Sequence, residues 1–184
     1  MTVVESASMS TEAQQSFFDE AASQQQLRSA LAKAYRLLAV RARSEKELRE
    51  TLQRKGFGKD LVEAAIAECK NQHFIDDADF ARQFVQSRLL NRPKGRARLT
   101  LELRQKGVDA VTIAAILDEL LPAEHQAELA DQLAEKLRKR LANLSPLKAR
   151  QRLSDFLRRR GFDGEMIQGT RLWTDLQGNV SGEE

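Results

Sequence analysis

Apolar positions recur along this chain at intervals of three and four, the spacing that gathers side chains on one face of an α-helix. Leu48 and Leu52, Leu99 and Leu103, and Leu153 and Leu157 each stand four apart, and each pair leads four residues on to a glycine: Gly56, Gly107 and Gly161. Lysine or arginine precedes every one of these glycines, and Phe57, Val108 or Phe162 follows. Glycine at the residue past a helix end accepts the left-handed backbone that closes the last turn. The cation before it complements the negative end of the helix dipole. Six residues beyond each glycine the apolar pattern resumes, at Val62, Ile113 and Ile167. The pattern therefore predicts helix, glycine turn and helix, three times.

A further amphipathic stretch precedes each copy. Leu31, Ala34, Tyr35, Leu38 and Ala42 form the first stripe, Phe80, Phe84, Val85 and Leu89 the second, and Leu129, Leu133, Leu137 and Leu141 the third. Ser44 and Glu47 have the spacing of a capping box, and Ser145-Pro146 that of an N-cap followed by proline at the first helical position. Nothing alternates long enough to predict a strand. The fold class is all-α, a tandem array of three three-helix repeats, elongated and curved. Its expected divisions are a leader over 1–26, repeats over 27–75, 76–122 and 123–173, and a tail over 174–184. Short helices are marginal alone, so the repeats are expected to support one another.

Charge changes this picture at the N-terminus. Residues 1–26 hold Glu5, Glu12, Asp19 and Glu20 and no lysine or arginine, so of the net charge of +3 over 184 residues the remainder carries +7. A Ser- and Gln-rich acidic leader of this kind is expected to be largely disordered, with a helix near Phe17-Phe18 as the exception. A basic body points toward a polyanion or an acidic protein surface. No apolar run approaches the roughly 18–20 residues that span a bilayer, and the N-terminus lacks the look of a secretory signal. The single cysteine, Cys69, suits a reducing compartment, and the cytoplasm is the expected location.

Catalytic chemistry finds little support. His73 and His125 lack partners at zinc-site spacing, and no glycine-rich loop with Lys-Ser/Thr cradles a phosphate. Cys69 reads as a small core residue. Asp76 and Asp77 could ligate a divalent cation, but the pair fits better as a cap and first-turn acid on the helix that follows. No catalytic, cofactor or metal residue is assigned. The positive feature is basic clustering. Arg88, Arg92, Lys94, Arg96, Arg98, Arg104 and Lys106 are opposed only by Glu102. Lys148, Arg150, Arg152, Arg158, Arg159 and Arg160 continue a second stretch that opens at Lys136, Arg138, Lys139 and Arg140, opposed only by Asp155. The thirteen residues of the two runs 88–106 and 148–160 are the candidate contacts to protein or DNA.

Several segments resemble the RecX family. These are Ala34–Arg49, Lys55-Gly56-Phe57 with the following helix, and Arg92–Gly95 continuing to Gly107-Val108. Most telling is His73-Phe74-Ile75-Asp76-Asp77-Ala78-Asp79-Phe80-Ala81, close to the family's Gly-aromatic/Leu-Asp-Asp-x-x-Phe-Ala. His73 stands there where glycine is common. The similarity covers roughly residues 30–175 and is weakest over 122–150. It implies a non-enzymatic regulator that binds RecA and RecA–DNA filaments. Such a protein inhibits ATP hydrolysis, strand exchange and filament extension in homologous recombination, DNA repair and the SOS response. It further implies weak, non-specific DNA contact, and the chain is read as a monomer. The alternative is a stand-alone DNA-binding protein of helix-turn-helix type.

Overall fold

A computed structural model describes the backbone of residues 4–178 and the side chains of residues 20–178. Among them every regular element is an α-helix. The first three are α1 (Val4–Val40), α2 (Glu45–Arg54) and α3 (Lys59–Asn71). Then come α4 (Asp77–Asn91), α5 (Arg96–Gln105), α6 (Ala110–Leu120) and α7 (Ala123–Leu141). The last are α8 (Pro146–Arg159), α9 (Gly164–Gln168) and α10 (Arg171–Gly178). The chain divides at Asp76/Asp77 into two compact units.

The first unit packs α1, α2 and α3 around Ala30, Ala34, Leu48, Leu52, Val62, Ala65, Ile66, Cys69 and Ile75. Ser44 caps α2 by accepting the Glu47 N–H at 3.1 Å. The helix α1 runs through residues 4–26, where composition pointed to a disordered leader. No glycine or proline interrupts that stretch, and its Ala, Gln and Glu are good helix formers. Ala42, expected on the α1 stripe, falls beyond the helix end at Val40 and is exposed, because the chain must extend to bring Ser44 to its cap. Arg49 joins α2 to α3 by an ion pair to Glu63 at 2.8 Å, and Lys70 does so through Glu45 at 2.8 Å. Cys69 is buried, and that burial, with Glu68 nearby, pushes its thiol pKa up.

The second unit holds two cores. Phe80, Ala81, Val85, Leu99, Leu103, Val108, Ile113, Ile116, Leu117 and Leu121 fill one, among α4, α5 and α6. Leu133, Ala134, Leu153, Leu157, Phe162, Ile167 and Leu172 anchor the other, among α7 to α10. Leu129 packs against both and ties them together. Asp109 caps α6 and Asp163 caps α9, each accepting backbone N–H groups. Asp76 immediately precedes α4, whose first turn holds Asp77 and Asp79. Ser145 occupies the N-cap of α8 without a side-chain bond, and Pro146 follows at the first helical position. The expected tail is helical as far as Gly178, and residues 179–184 lie outside the described residues.

The repeated turn is the same object each time. Gly56, Gly107 and Gly161 have φ of 90°, 89° and 90°. In each case the glycine N–H reaches three residues back and the following N–H reaches five back, to Leu52, Leu103 and Leu157. That is the Schellman closure. The leucine pairs before these turns are fully buried. A fourth such closure ends α3, where His73 N–H meets the Lys70 carbonyl at 2.9 Å and Phe74 N–H meets Cys69 at 2.8 Å. Here a histidine takes the left-handed position, at φ 56°.

Candidate functional site

The two basic stretches meet in the second unit, at the joint between its two cores. Gly95 lies at the N-cap of α5, and its N–H donates to the carbonyl of Arg160, the residue that caps α8, at 2.8 Å. The partly positive start of one helix thus meets the partly negative end of another. The Arg160 guanidinium returns to the carbonyl of Pro93 at 3.0 Å and lies 4.5 Å from the Phe156 ring. Contact at the joint is backbone to backbone. A Cβ on Gly95 would stand 2.5 Å from the Gly161 carbonyl oxygen, and one on Gly161 would stand 2.6 Å from Arg98 Cβ. The next α5 donor, Arg96 N–H, is taken by Oε1 of the buried Gln126 at 2.8 Å.

The first stretch is largely consumed by ion pairing. Glu102, with a side chain only 12% exposed, binds Arg88 at 3.1 Å, Arg98 at 3.1 Å, and Lys94. Burial pushes the Glu102 carboxyl upward, but hydrogen bonds from Lys94, Arg88 and Arg98 outweigh it and hold the pKa below its ordinary range. Arg96 pairs with Asp118 at 2.7 Å, and Arg88 also covers the Phe84 ring. Lys106 caps the end of α5 half-buried. Arg92 and Arg104 are exposed and without an ion pair among the described residues. One carboxylate, which the linear sequence shows merely as outnumbered, therefore gathers three of the seven cations.

The second stretch keeps its charge outward. Lys148, Arg152, Arg158 and Arg159 are exposed and make no ion pair among the described residues. Lys148, Arg152 and Arg159 share a stripe of α8, with Asp155 between them, opposite buried Ala149, Leu153 and Leu157. Arg150 instead points its guanidinium at Trp173, 5.8 Å from the ring. Upstream, Arg138 is bound to Glu135 and Asp175, both at 2.7 Å. Among the thirteen candidates, Arg96 and Arg158 come together on one open cleft of about 600 Å³ at the joint. Gln126 and Asp118 were not singled out from the sequence, and Gly95 only as the end of the Arg92–Gly95 segment. A buried glutamine on an otherwise apolar helix face was the available sign. No group of three or more potential metal ligands occurs among the described residues.

Comparison with known proteins places this architecture. Models of the first, second and third three-helix domains of RecX match residues 30–69, 76–117 and 124–169 respectively. The chain is 38% identical to a protein named regulatory protein RecX from Mycolicibacterium smegmatis over 134 residues, 71% of each chain. This chain belongs to the RecX family. A RecX regulatory protein from Chlorobaculum tepidum is 37% identical over 142 residues, covering 77% of this chain and 86% of the relative. A crystal structure of regulatory protein RecX superposes with a TM-score of 0.77 at 26% identity, covering 86% of this chain and 76% of that one. The fold is shared too by RecX from Lactobacillus salivarius, with a TM-score of 0.73 at 23% identity over 83% of this chain and 97% of the other. Each RecX domain contains one of the glycine turns, and the joint between Gly95 and Gly161 couples the second RecX domain to the third.

Proposed function

We propose that this chain binds RecA and RecA–DNA filaments in the cytoplasm and inhibits their ATP hydrolysis, strand exchange and extension. It would thereby regulate recombination, DNA repair and the SOS response. The observation that carries this reading is the presence of all three RecX domains in tandem. Occupancy suffices for such a role. A protein that bridges neighbouring subunits, or sits at the growing end, slows turnover without making or breaking a bond, and no catalytic group is invoked. The exposed cations Lys148, Arg152, Arg158 and Arg159 support contact with acidic protein surface and DNA phosphates. The cations paired to Glu102 serve the domain's own cohesion.

The test is DNA-dependent ATP hydrolysis by pre-formed RecA filaments, titrated with this protein at fixed salt. Suppression well below one molecule per RecA subunit is the expected result. Charge reversal at Arg152 and Arg159 should weaken it, while reversal at Arg41, in the other unit, should not. Absence of suppression at equimolar protein would refute the proposal and favour a stand-alone DNA-binding protein, to which the same unpaired cations are suited.

A further inference from the structure

The cleft at the joint of the second and third domains is built from both. Arg96 and Thr100 come from α5, Gln126 from α7, Arg158 from the end of α8, and Phe162 and Asp163 from the turn beyond. Asp163 is occupied as the α9 cap, holding Met166 N–H at 2.9 Å. Gln126 is the informative member. It is 7% exposed, and its Oε1 is fixed by the Arg96 N–H. That bond sets the orientation of the amide, so its two N–H donors lie on the other oxygen-free side, without a partner among the described residues. A buried amide that lines an open cleft with unused donors, beside two guanidinium groups and a hydroxyl, is furnished for an anionic oxygen. Arg159, next to Arg158 at the end of α8, and Arg104, two turns beyond Arg96 on α5, are exposed cations as well. Repeated charge of this kind suits a chain of phosphates better than a lone carboxylate.

We propose that this cleft binds a backbone phosphate of a nucleic-acid strand, with Gln126, Arg158 and Arg96 as donors. This deepens the filament reading by giving the DNA within it a contact point, and it can be tested without RecA. Binding of labelled oligonucleotides of mixed sequence, duplex and single-stranded, would be followed by anisotropy across a salt series. Gln126→Glu keeps the acceptor for Arg96 N–H but replaces the donors with a charge, and it should weaken binding about tenfold or more for every sequence. Arg158→Gln should lower the log–log salt slope by about 0.9 on duplex and about 0.7 on single strands. Asp118→Asn, which releases Arg96, should tighten binding.

Unchanged affinity and slope in both Gln126→Glu and Arg158→Gln, with unchanged thermal melts, would overturn the proposal. So would variants that bind DNA normally but no longer suppress RecA ATP hydrolysis, since the cleft would then take a carboxylate of the protein. Lost DNA affinity with suppression intact would support the cleft and show that filament inhibition runs through other contacts.

Discussion

The glycines at the joint allow a test in which steric and conformational effects separate. Gly56 and Gly161 share the same left-handed φ, but a Cβ on Gly56 meets nothing within 4 Å, whereas one on Gly161 overlaps the start of α5. Gly56→Ala therefore costs only the left-handed strain, about 1–2 kcal/mol. The stiffer unfolded chain offsets about 0.4–1 kcal/mol of it, leaving about 1 kcal/mol. Gly161→Ala bears the same strain and must also push Arg98 away by roughly 1 Å to restore ordinary contact. That movement breaks the bond from Gly95 N–H to Arg160, and a buried group left unpaired costs about 1–3 kcal/mol. Overpacking adds about 1–3 kcal/mol more, for a total of about 3–7 kcal/mol. Gly95→Ala is the cleanest case. Its φ of −74° suits any residue, so its whole cost, about 2–6 kcal/mol, comes from the approach to Gly161. The double variant should fall short of additivity by about 1–3 kcal/mol, because the joint opens only once. Urea denaturation followed by Trp173, the single tryptophan, reads the unit that holds the joint, and helical circular dichroism reads Gly56. Gly95→Ala within about 0.5 kcal/mol of the parent would refute the close-contact argument.

Three other outcomes are expected. His73→Gly removes a side chain from a left-handed position and should stabilise the first unit by about 0.5–1 kcal/mol after the entropy of glycine is counted; a lower melting temperature would contradict the turn geometry. Glu102→Gln should cost about 1–2 kcal/mol near neutral pH. The Glu102 pKa is lowered by folding, so its contribution is present above the ordinary glutamate value and is lost as pH falls through the lower folded one. Parent and variant denaturation curves should therefore converge in acid, and a gap that persists at low pH would count against the ion cluster. Deleting residues 1–26 should reduce helical circular dichroism without shifting the melt, since the first core begins at Ala30 and residues 20–26 are exposed; a large downward shift would show that the segment is structural.

Much of the fold was legible because each repeat writes its own ending. A buried Leu-x-x-x-Leu, a cation, a glycine and an apolar residue specify a helix, a left-handed closure and a return onto the core, all within ten residues. The fourth closure was harder to see, since His73 lacks the flexibility that marks such turns. Its position came instead from the resemblance at His73–Ala81, where glycine is the common residue. The exposed Ala42 shows the converse limit: periodicity continues in the sequence after the chain has left the helix. Residues 4–26 show another. Low hydrophobicity removes the reason to pack, but it does not remove helix propensity.

The candidate site was legible as charge and illegible as geometry, for a physical reason. A count along the chain treats Glu102 as one negative among seven positives, but a carboxylate has about four lone-pair positions and can hold several cations at once when folding brings them together. Three arginines or lysines are thereby tied to a residue that the sequence presents as a minority. No comparable acceptor sits inside the α8 stripe, where Lys148, Arg152 and Arg159 stay exposed around a single Asp155. The same logic explains Gln126. One of its ends is needed to satisfy an α5 donor buried by the Gly95–Arg160 contact, and its other end is consequently presented as a donor. Glycine at 95 and at 161 permits the approach, the approach buries the α5 donors, and their satisfaction positions the amide. The proposed phosphate contact is thus a by-product of how the second and third domains meet, which links Gly95→Ala to DNA affinity as well as to stability. A Gly95→Ala chain that stays folded but binds DNA as tightly as the parent would break that link.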